Sequence, residues 1–414
     1  MPNHVDVAST WSRILPTVDV SAGAGTSYDA PQQQVAITPV TVIDSTTGLP
    51  TQGFQRQVVD TPASTVSNFS VGVHLQQTLF DGLIAPRSIA RARLGRSIAA
   101  RRVDEVAASV SFEVTRRFYE VVRAERILMV LTQMVERSQD LLRQSAALCE
   151  AGRVPEVEVV TARVNLGTDR LNAENSRARA AQARAELAVI LGVSADALGN
   201  PVPPVTIGER DLPARLPPSP ERLLSLARQR RPIFGRMRAQ LEQAAIDRKL
   251  AAGQWLPKIV GSLGYDRGGP TFSGTQGVWG DPARQYVAAA QIAAQWNIFN
   301  GFQTSADQRR AALNERIADA LNQQVAVQVA ADVVRTRESV VSLTTAVALA
   351  ERNLVLAEDG ARLAADRLVA GAGTLFDVRE ANLKLMLARV GLVSVRLDLA
   401  IAEADLQRAT GGAY

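Results

Sequence analysis

The side chains able to carry chemistry are few and scattered in this sequence. It has one cysteine, Cys149, and two histidines, His4 and His74. No H-E-x-x-H or C-x-x-C motif and no cluster of histidines and carboxylates is present, which excludes the usual catalytic metal sets. No nucleophile–base set is found, and the Gly-rich stretch 261–280 lacks the G-K-[S/T] ending of a phosphate loop. We therefore predict that the chain is not an enzyme and holds no cofactor or metal.

The charged residues are mostly arginines interleaved with acids, and the formal net charge is +5. Arg101 and Arg102, for example, stand next to Asp104 and Glu105. Mixed charges of this kind are typical of solvated helix faces, so we predict no nucleic-acid partner. Hydrophobic residues make up 46% of the chain and aromatics only 5%. This composition favours long helices over a compact aromatic core.

The elements that position these residues occur twice. Residues 79–192 align with 298–411 without a gap, at a constant shift of 298 − 79 = 219. The Phe-Asp-Gly element ending at Gly82 aligns with the Phe-Asn-Gly element ending at Gly301. Because one inserted residue turns a helix by about 100°, the gapless match predicts that the element lengths are fixed.

The residue pattern in each half of the sequence predicts a long α-hairpin. Residues 84–149 and 303–369 have apolar side chains three and four positions apart, and each stretch predicts a helix of about 65 residues, roughly 100 Å long. A Gly-containing turn leads to a second helix, at 156–191 and at 375–410. A further helix is predicted at 219–253. Helices this long must pack against other helices in a rod or tube.

Four segments alternate apolar with small or polar residues, as strands with one apolar face do. Such segments suit a transmembrane barrel, although a strand of a soluble sandwich has the same pattern. No run of 18 apolar residues exists, so no transmembrane helix is expected. Because about eight strands are needed to close a barrel, four membrane strands require several chains to share one. The segments are 15–28, 68–79, 257–267 and 285–299.

The order strand, strand, long helix, turn, helix, present twice, resembles the TolC family of outer-membrane efflux proteins over nearly all of the chain. The most specific segments are Gln254–Pro257, Phe299–Phe302 and the tip Gly371–Val378. The resemblance implies a mixed, mainly α fold, in which long antiparallel coiled-coil α-hairpins form an α-barrel. It also implies that four transmembrane β-strands per protomer form a shared, 12-stranded trimeric β-barrel.

The expected organisation follows this fold. The domains are 1–82, the first strand pair with an extracellular loop at 31–65; 83–199, the first α-hairpin; 200–220, a Pro-rich linker; 221–253, the helix of the second repeat; 254–301, the second strand pair; and 302–414, the second α-hairpin. No helix equivalent to 219–253 fits into the 11 or so residues before residue 12, and no signal peptide is found. We expect a processed or truncated chain, or a misassigned start.

The resemblance implies a passive channel of the cell outer membrane that extends into the periplasm. It would serve a tripartite efflux pump or a type I secretion system and export small molecules or proteins. The implied partners are two further copies in a homotrimer, a periplasmic adaptor protein, an inner-membrane pump of the RND, ABC or MFS type, and outer-membrane lipid. The alternative is a soluble, elongated coiled-coil scaffold, which unlike a channel would need no detergent.

The resemblance also places acidic residues at a periplasmic pore aperture, namely Asp377, Glu380 and Glu158. Threefold symmetry would bring these carboxylates together in rings that select cations. Acids in the first turn of a helix also complement the helix dipole, and for Glu158 and Glu380 both interpretations stay open. We favour a pore-lining role for Asp377 and expect His74 to face the barrel interior. The residues expected to contact the adaptor are Gly152, Arg153, Gly371 and Gly373.

Overall fold

The computed structural model describes residues 10–45, 48–193, 217–281 and 286–413. Within these ranges six strands and six helices follow one another. They are β1 (Thr17–Asp29), β2 (Gln32–Ile43), β3 (Pro50–Thr61), β4 (Ser64–Phe80), α1 (Ile84–Glu150), α2 (Glu156–Leu191), α3 (Pro220–Arg230), α4 (Pro232–Gly253), β5 (Lys258–Gly269), β6 (Tyr286–Gln295), α5 (Gln303–Val369) and α6 (Leu375–Thr410).

The long helices α1 and α5 each have 67 residues and begin in the same way. The Asp81 carboxylate accepts hydrogen bonds from the backbone N–H groups of Ile84 (3.0 Å) and Ala85 (2.7 Å). The Asn300 side-chain oxygen accepts one from the N–H of Thr304 (3.3 Å). These side chains satisfy amides that a helix start leaves without partners. The equivalent Asp and Asn of the two repeats thus fix where α1 and α5 begin.

The second helix of each hairpin carries a heptad seam. In α6 a buried apolar residue recurs at every seventh position without interruption, and α2 has buried apolar residues at three of the five equivalent positions of the first repeat. Side chains at this spacing face a neighbouring helix along the whole length of α6. The buried residues are Val378, Leu385, Leu392, Leu399 and Leu406 in α6 and Leu166, Ala180 and Leu187 in α2.

The chain divides into two compact units, and the boundaries between them fall within α1, α4 and α5. The first comprises Met1–Arg96 and Gln243–Glu315, and the second comprises Ser97–Glu242 and Arg316–Tyr414. The hydrophobic core of the second unit joins α3 to the α5–α6 hairpin. Its buried members are Leu223 and Ala227 of α3, Val329, Val333 and Val340 of α5, and Leu399, Ala402, Leu406 and Ala409 of α6.

The first unit contains an antiparallel four-stranded sheet in the order β1-β4-β5-β6. Its strands lie on the four segments that the alternating pattern predicts. Directly paired residues such as Val20, Val73 and Tyr265 share an apolar face. His74 lies on the opposite face, with Asp19 paired to it on β1. In the described residues β1 and β6 each have a strand neighbour on one side only.

The structure corrects two predictions. The loop expected over 31–65 is instead an antiparallel β-hairpin of β2 and β3, with 12 residues in each strand. The Pro, Gln and Thr residues of this segment obscure the alternating pattern of a strand. The two strands are stabilised by pairing with each other. The single helix expected over 219–253 is two helices, because Pro232 follows Arg231 and disfavours a helical conformation there. Most of the linker 200–220, up to residue 216, and the segment before residue 10 lie outside the described residues.

One helix of the described residues, α5, is long and apolar enough to cross a membrane by length and composition alone. The sequence prediction used a different criterion, an unbroken run of 18 apolar residues, which α5 does not have. Alanines and valines raise its mean hydropathy although charged residues interrupt them. Val329, Val333 and Val340 of the same helix are buried in the core with residues of α3 and α6, whereas only 6% of the apolar window is buried.

Candidate functional site

The two hairpin tips have the same backbone conformation. Gly152 and Gly371 take positive φ angles of 71° and 72°, a conformation that side chains disfavour. After each glycine the next N–H turns back onto the preceding helix: Arg153 donates to the Leu148 carbonyl and Ala372 to the Arg367 carbonyl, both at 2.9 Å. These bonds form a Schellman-type helix end. Gly152 and Gly371 therefore close the turns in which the sequence predicts adaptor contacts.

The tips differ in how the next helix starts. Pro155 precedes α2 and provides no side-chain cap. Thr374 precedes α6 and forms a capping box with Asp377. The Thr374 hydroxyl accepts from the Asp377 N–H at 3.2 Å, and an Asp377 carboxylate oxygen accepts from the Thr374 N–H at 2.9 Å. The second tip is thus held by side chains and the first by backbone geometry alone.

The Asp377 carboxylate is exposed but engaged in this cap. Hydrogen bonds from the Thr374 N–H, and then from its hydroxyl, lower the pKa of Asp377 because they stabilise the ionised form. The carboxylate is therefore a permanent negative charge at the tip at neutral pH. The structure shows a capping role for Asp377, whereas its pore-lining role stays a prediction.

The other two predicted aperture residues lie near the same helix starts. Glu380 forms an ion pair with Lys384 at 2.7 Å, one turn along α6. Glu158 lies in the first turn of α2, where its N–H donates to the Pro155 carbonyl. Among the described residues no hydrogen bond or ion pair joins the acids of one tip to those of the other. A single chain therefore presents two separate acidic tips. Cys149, at the end of α1, is a free, half-buried thiol.

A charged cluster that the sequence did not predict lies behind the second tip. Arg379 of α6 forms two bonds to the Asp169 carboxylate of α2, Nη1–Oδ2 at 2.5 Å and Nη2–Oδ1 at 3.0 Å. Ser138 of α1 donates to the same carboxylate and accepts from Arg379 Nη1 at 2.8 Å. The Asp169 side chain is only 5% exposed. One cluster thus joins three helices from both hairpins.

A sequence signal for this cluster does exist. Asp169 and Ser176 continue the three–four spacing of Val159, Ala162 and Leu166, so they occupy seam positions that apolar residues usually fill. A charge at such a position predicts a buried partner. The sequence offers many arginines, however, and only the packing of α6 beside α2 selects Arg379.

Further arginines along α6 pair with neighbouring helices. Arg389 reaches Glu358 of α5 at 3.1 Å, and Arg396 reaches Glu351 of α5 at 2.7 Å. These contacts show that some of the interleaved charges form ion pairs between neighbouring helices. No group of three or more histidine, cysteine or acidic side chains in the described residues could hold a metal ion.

The four-stranded sheet supplies a second feature with functional meaning. Its apolar face carries aromatic rings towards the strand ends away from the helices, where Tyr265 and Tyr286 stack with ring centroids 5.8 Å apart. At the opposite ends Trp296 donates its indole N–H to the Trp255 carbonyl at 3.0 Å. Aromatic rings at both ends of an apolar band are typical of strands that cross a membrane.

The opposite face of this sheet is polar and small. His74 Nε2 lies 3.1 Å from Asp266 Oδ1 on the neighbouring strand. The pair lies over Gly72, where an added Cβ would stand 2.1 Å from the Asp266 carboxylate. The glycine therefore leaves room for the pair on the sheet surface. His74 faces away from the apolar side, as expected.

Solved structures with this fold are outer-membrane channels. VceC from Vibrio cholerae shares 15% identity, with 99% of this chain and 90% of that chain covered and a TM-score of 0.78. CusC shares 15% identity at 99% and 86% coverage, with a TM-score of 0.80. The open-state MtrE channel of Neisseria gonorrhoeae shares 18% at 99% and 83%, with a TM-score of 0.73. No curated protein sequence matches the chain.

With these outer-membrane channels the chain shares a fold in which a sheet with one apolar face is joined to two 67-residue helices. The sequence model of the outer membrane efflux proteins matches residues 5–193 and again 223–412, and the chain belongs to this family. The two matches correspond to the internal repeat. Membership places the protein in the outer membrane, extending into the periplasm, and favours the channel over the soluble scaffold.

Proposed function

We propose that three copies of this chain share one 12-stranded β-barrel and form a passive export duct. The observation that supports this is the sheet with two open edges. In the described residues β1 and β6 each leave one edge unpaired, while the sheet carries an apolar face with aromatic ends. An unpaired edge is not tolerated in lipid, and four strands are too few to close a barrel. Joining β1 of one copy to β6 of the next pairs every strand.

The duct does no chemical work in this proposal. Its polar face, with His74 and Asp266, lines the water-filled path, while the apolar face contacts outer-membrane lipid. An inner-membrane pump of the RND, ABC or MFS type provides the energy, and a periplasmic adaptor connects that pump to the tips. The cargo is small molecules for a tripartite efflux pump or proteins for type I secretion.

The hairpin tips take two roles. The exposed turns at Gly152, Arg153, Gly371 and Gly373 contact the adaptor, supported by their shared Schellman-type conformation. Asp377, Glu380 and Glu158 ring the periplasmic aperture. Support for the ring comes from the exposed, ionised Asp377, whose position the capping box fixes. Three such charges around an axis favour cations.

A matched pair of substitutions tests the shared barrel. Ala288 lies on the apolar face opposite Tyr265, and its neighbour Ala289 lies on the polar face opposite Gly264. Ala288→Arg places a charge in lipid, where an arginine costs about 2–4 kcal/mol at the midplane and less towards the interface. Ala289→Arg places the same charge in the water-filled path and should leave trimers intact. Heat-resistant trimers, measured by light scattering in detergent, should be lost for Ala288→Arg alone. Equal behaviour of the two variants would contradict the membrane barrel.

Planar-bilayer conductance tests the aperture. Asp377→Asn keeps a capping side chain but removes the charge, so cation selectivity should fall and block by divalent cations should weaken several-fold. Asp359→Asn is the control, because Asp359 forms an exposed ion pair with Arg362 on α5. If both variants conduct like the parent channel, Asp377 serves only as a helix cap.

A further inference from the structure

The helix-side ends of the four-stranded sheet carry a group of exposed aromatic rings, here called the aromatic collar. Its members are Trp11, Trp255, Trp296, Phe299 and Phe302. Trp296 follows β6 in the alternation that places Ile292 and Ala294 on the apolar face, and its ring is bonded to the Trp255 carbonyl. Indole rings favour the depth of the lipid headgroups, because their apolar body and polar N–H suit both sides of that boundary. The collar therefore marks the level at which the apolar band ends.

The second turn of α5 lies at the level of this collar. The indole N–H of Trp255 donates to the Gln308 side-chain oxygen at 3.3 Å, and α5 begins at Gln303. The next residue, Arg309, is exposed, and in the part of the chain that the structure describes its side chain makes no hydrogen bond or ion pair. Side chains of a helix point back towards its N-terminus, which in α5 is the end that follows the sheet. The free guanidinium of Arg309 therefore points towards the collar.

A second arginine lies beside the collar at the other edge strand. Arg13 stands between Trp11 and the start of β1 at Thr17. It is exposed, and its Nη1 donates to the Ser88 hydroxyl, in the second turn of α1, at 3.5 Å. No carboxylate of the described residues pairs with it. Both edge strands of the sheet thus have at their helix-side end an exposed tryptophan and an arginine whose charge lacks an acidic partner within the described chain.

We propose that the collar binds anionic phospholipids of the periplasmic leaflet, whose phosphates pair with Arg309 and Arg13. This inference goes beyond the export function and rests on the outer-membrane location of the family. Guanidinium groups match phosphate oxygens in charge and geometry, and the collar continues the apolar face of the sheet. The headgroup layer extends roughly 5–8 Å beyond the hydrocarbon, which is enough to include the first turns of a helix that begins there. The bound phosphates would hold the protein at a fixed depth.

Quenching of tryptophan fluorescence by brominated lipid tests the occupant. The chain has four tryptophans, so Trp11→Phe with Trp279→Phe leaves Trp255 and Trp296 as reporters. This protein is reconstituted into vesicles of equimolar phosphatidylcholine and phosphatidylglycerol, with bromine on the acyl chains of one lipid at a time. Brominated phosphatidylglycerol should quench several-fold more strongly than brominated phosphatidylcholine. Equal quenching by the two lipids would overturn the proposal. Absence of quenching by either lipid would mean that protein, such as a second copy, covers the collar, and would overturn it as well.

Matched arginine variants test the charges. Arg309→Gln should lower the preference for phosphatidylglycerol about five-fold, the effect of one arginine at an anionic surface, and Arg13→Gln should act in the same direction. The control is Arg352→Gln, because Arg352 is an exposed arginine of α5 that also makes no hydrogen bond or ion pair within the described residues. It lies 352 − 309 = 43 residues further along the helix, or roughly 65 Å.

Helical circular dichroism equal to that of the parent shows that each variant folds. Equal lipid preference in Arg309→Gln and Arg352→Gln would overturn the proposal. Replacing chloride with inorganic phosphate at the same ionic strength should leave the preference unchanged. Loss of the preference in phosphate would assign the arginines to free phosphate and would overturn the lipid assignment.

Discussion

Arg379 and Asp169 form a two-point ion pair between α6 and α2, with a side-chain exposure of 17% for the arginine and 5% for the aspartate. The planar guanidinium matches both carboxylate oxygens, and Ser138 provides a further bond from α1. Desolvating two charges is costly, and complete pairing offsets that cost. The pair therefore fixes the register of the second hairpin against the first, just behind the tip.

Removing one partner of this pair should destabilise the helical part strongly. Asp169→Ala leaves the Arg379 charge buried without its partner, and we expect a loss of about 3–5 kcal/mol. Denaturant unfolding in detergent, followed by helical circular dichroism, measures the loss. Asp140→Ala is the control, because Asp140 and Arg143 form an exposed pair whose removal should cost under about 1 kcal/mol. The double variant Asp169→Leu with Arg379→Met should recover most of the stability. Equal effects at Asp169 and Asp140 would contradict a structural role for the buried pair.

The repeat provides a matched test at two equivalent glycines. Gly82 and Gly301 both take positive φ angles, 74° and 67°, so alanine should cost about 1–2 kcal/mol at either position. At Gly82 an added Cβ would also stand 2.3 Å from the Gly253 carbonyl oxygen, whereas nothing lies within 4 Å at Gly301. Gly82→Ala should therefore lower the free energy of unfolding by a further ~1–3 kcal/mol. Thermal unfolding of both variants measures the difference, and equal losses would show that Gly253 moves aside freely.

The capping box should make the second tip sensitive to acid. Because hydrogen bonds from Thr374 lower the folded-state pKa of Asp377, its contribution is present above the ordinary value of 3.8 and is lost as the pH falls through the lowered pKa. Thr374→Ala should speed amide exchange in the first turn of α6 about five-fold at neutral pH. The first turn of α2, which has no side-chain cap, is the internal control. Unchanged exchange in α6 would mean that the cap adds nothing beyond the turn.

Glu403 of α6 should show the opposite dependence on pH. Burial raises its pKa above the ordinary 4.5, so the folded state holds this proton more tightly than the unfolded state does. Ionisation of Glu403 therefore destabilises the folded state. This loss of stability is absent below pH 4.5 and develops as the pH rises through the raised pKa. Glu403→Gln should therefore stabilise the protein at pH 7 and leave it unchanged at pH 4. Denaturant unfolding at both pH values, with Glu136→Gln on an exposed site as control, tests this expectation.

Most of the helices could be predicted from the sequence because their ends are set by local chemistry. The predicted spans 156–191, 303–369 and 375–410 coincide with α2, α5 and α6. Glycines that take positive φ end the helices, and Asp81 and Asn300 cap the starts of α1 and α5. Such signals act within a few residues, so a sequence pattern contains them completely.

The β2–β3 hairpin and the split at Pro232 were missed for different reasons. The hairpin depends on cross-strand pairs such as Ile37 with Arg56, and pairing is not visible in one strand alone. Pro232 lies inside a continuous helical pattern, and that pattern alone does not show whether the helix continues through the proline or breaks there. Local propensity alone did not decide either case.

The sequence by itself determined the repeat, the long hairpins, the strand alternation and the acidic character of the tips, because each depends on periodicity or on neighbours along the chain. Only the tertiary structure decided that Arg379 is the partner of Asp169 and that Ile37 of β2 pairs with Arg56 of β3. Those relationships join residues up to 210 positions apart. They depend on how helices and strands pack side by side, which the pattern along a single element does not encode.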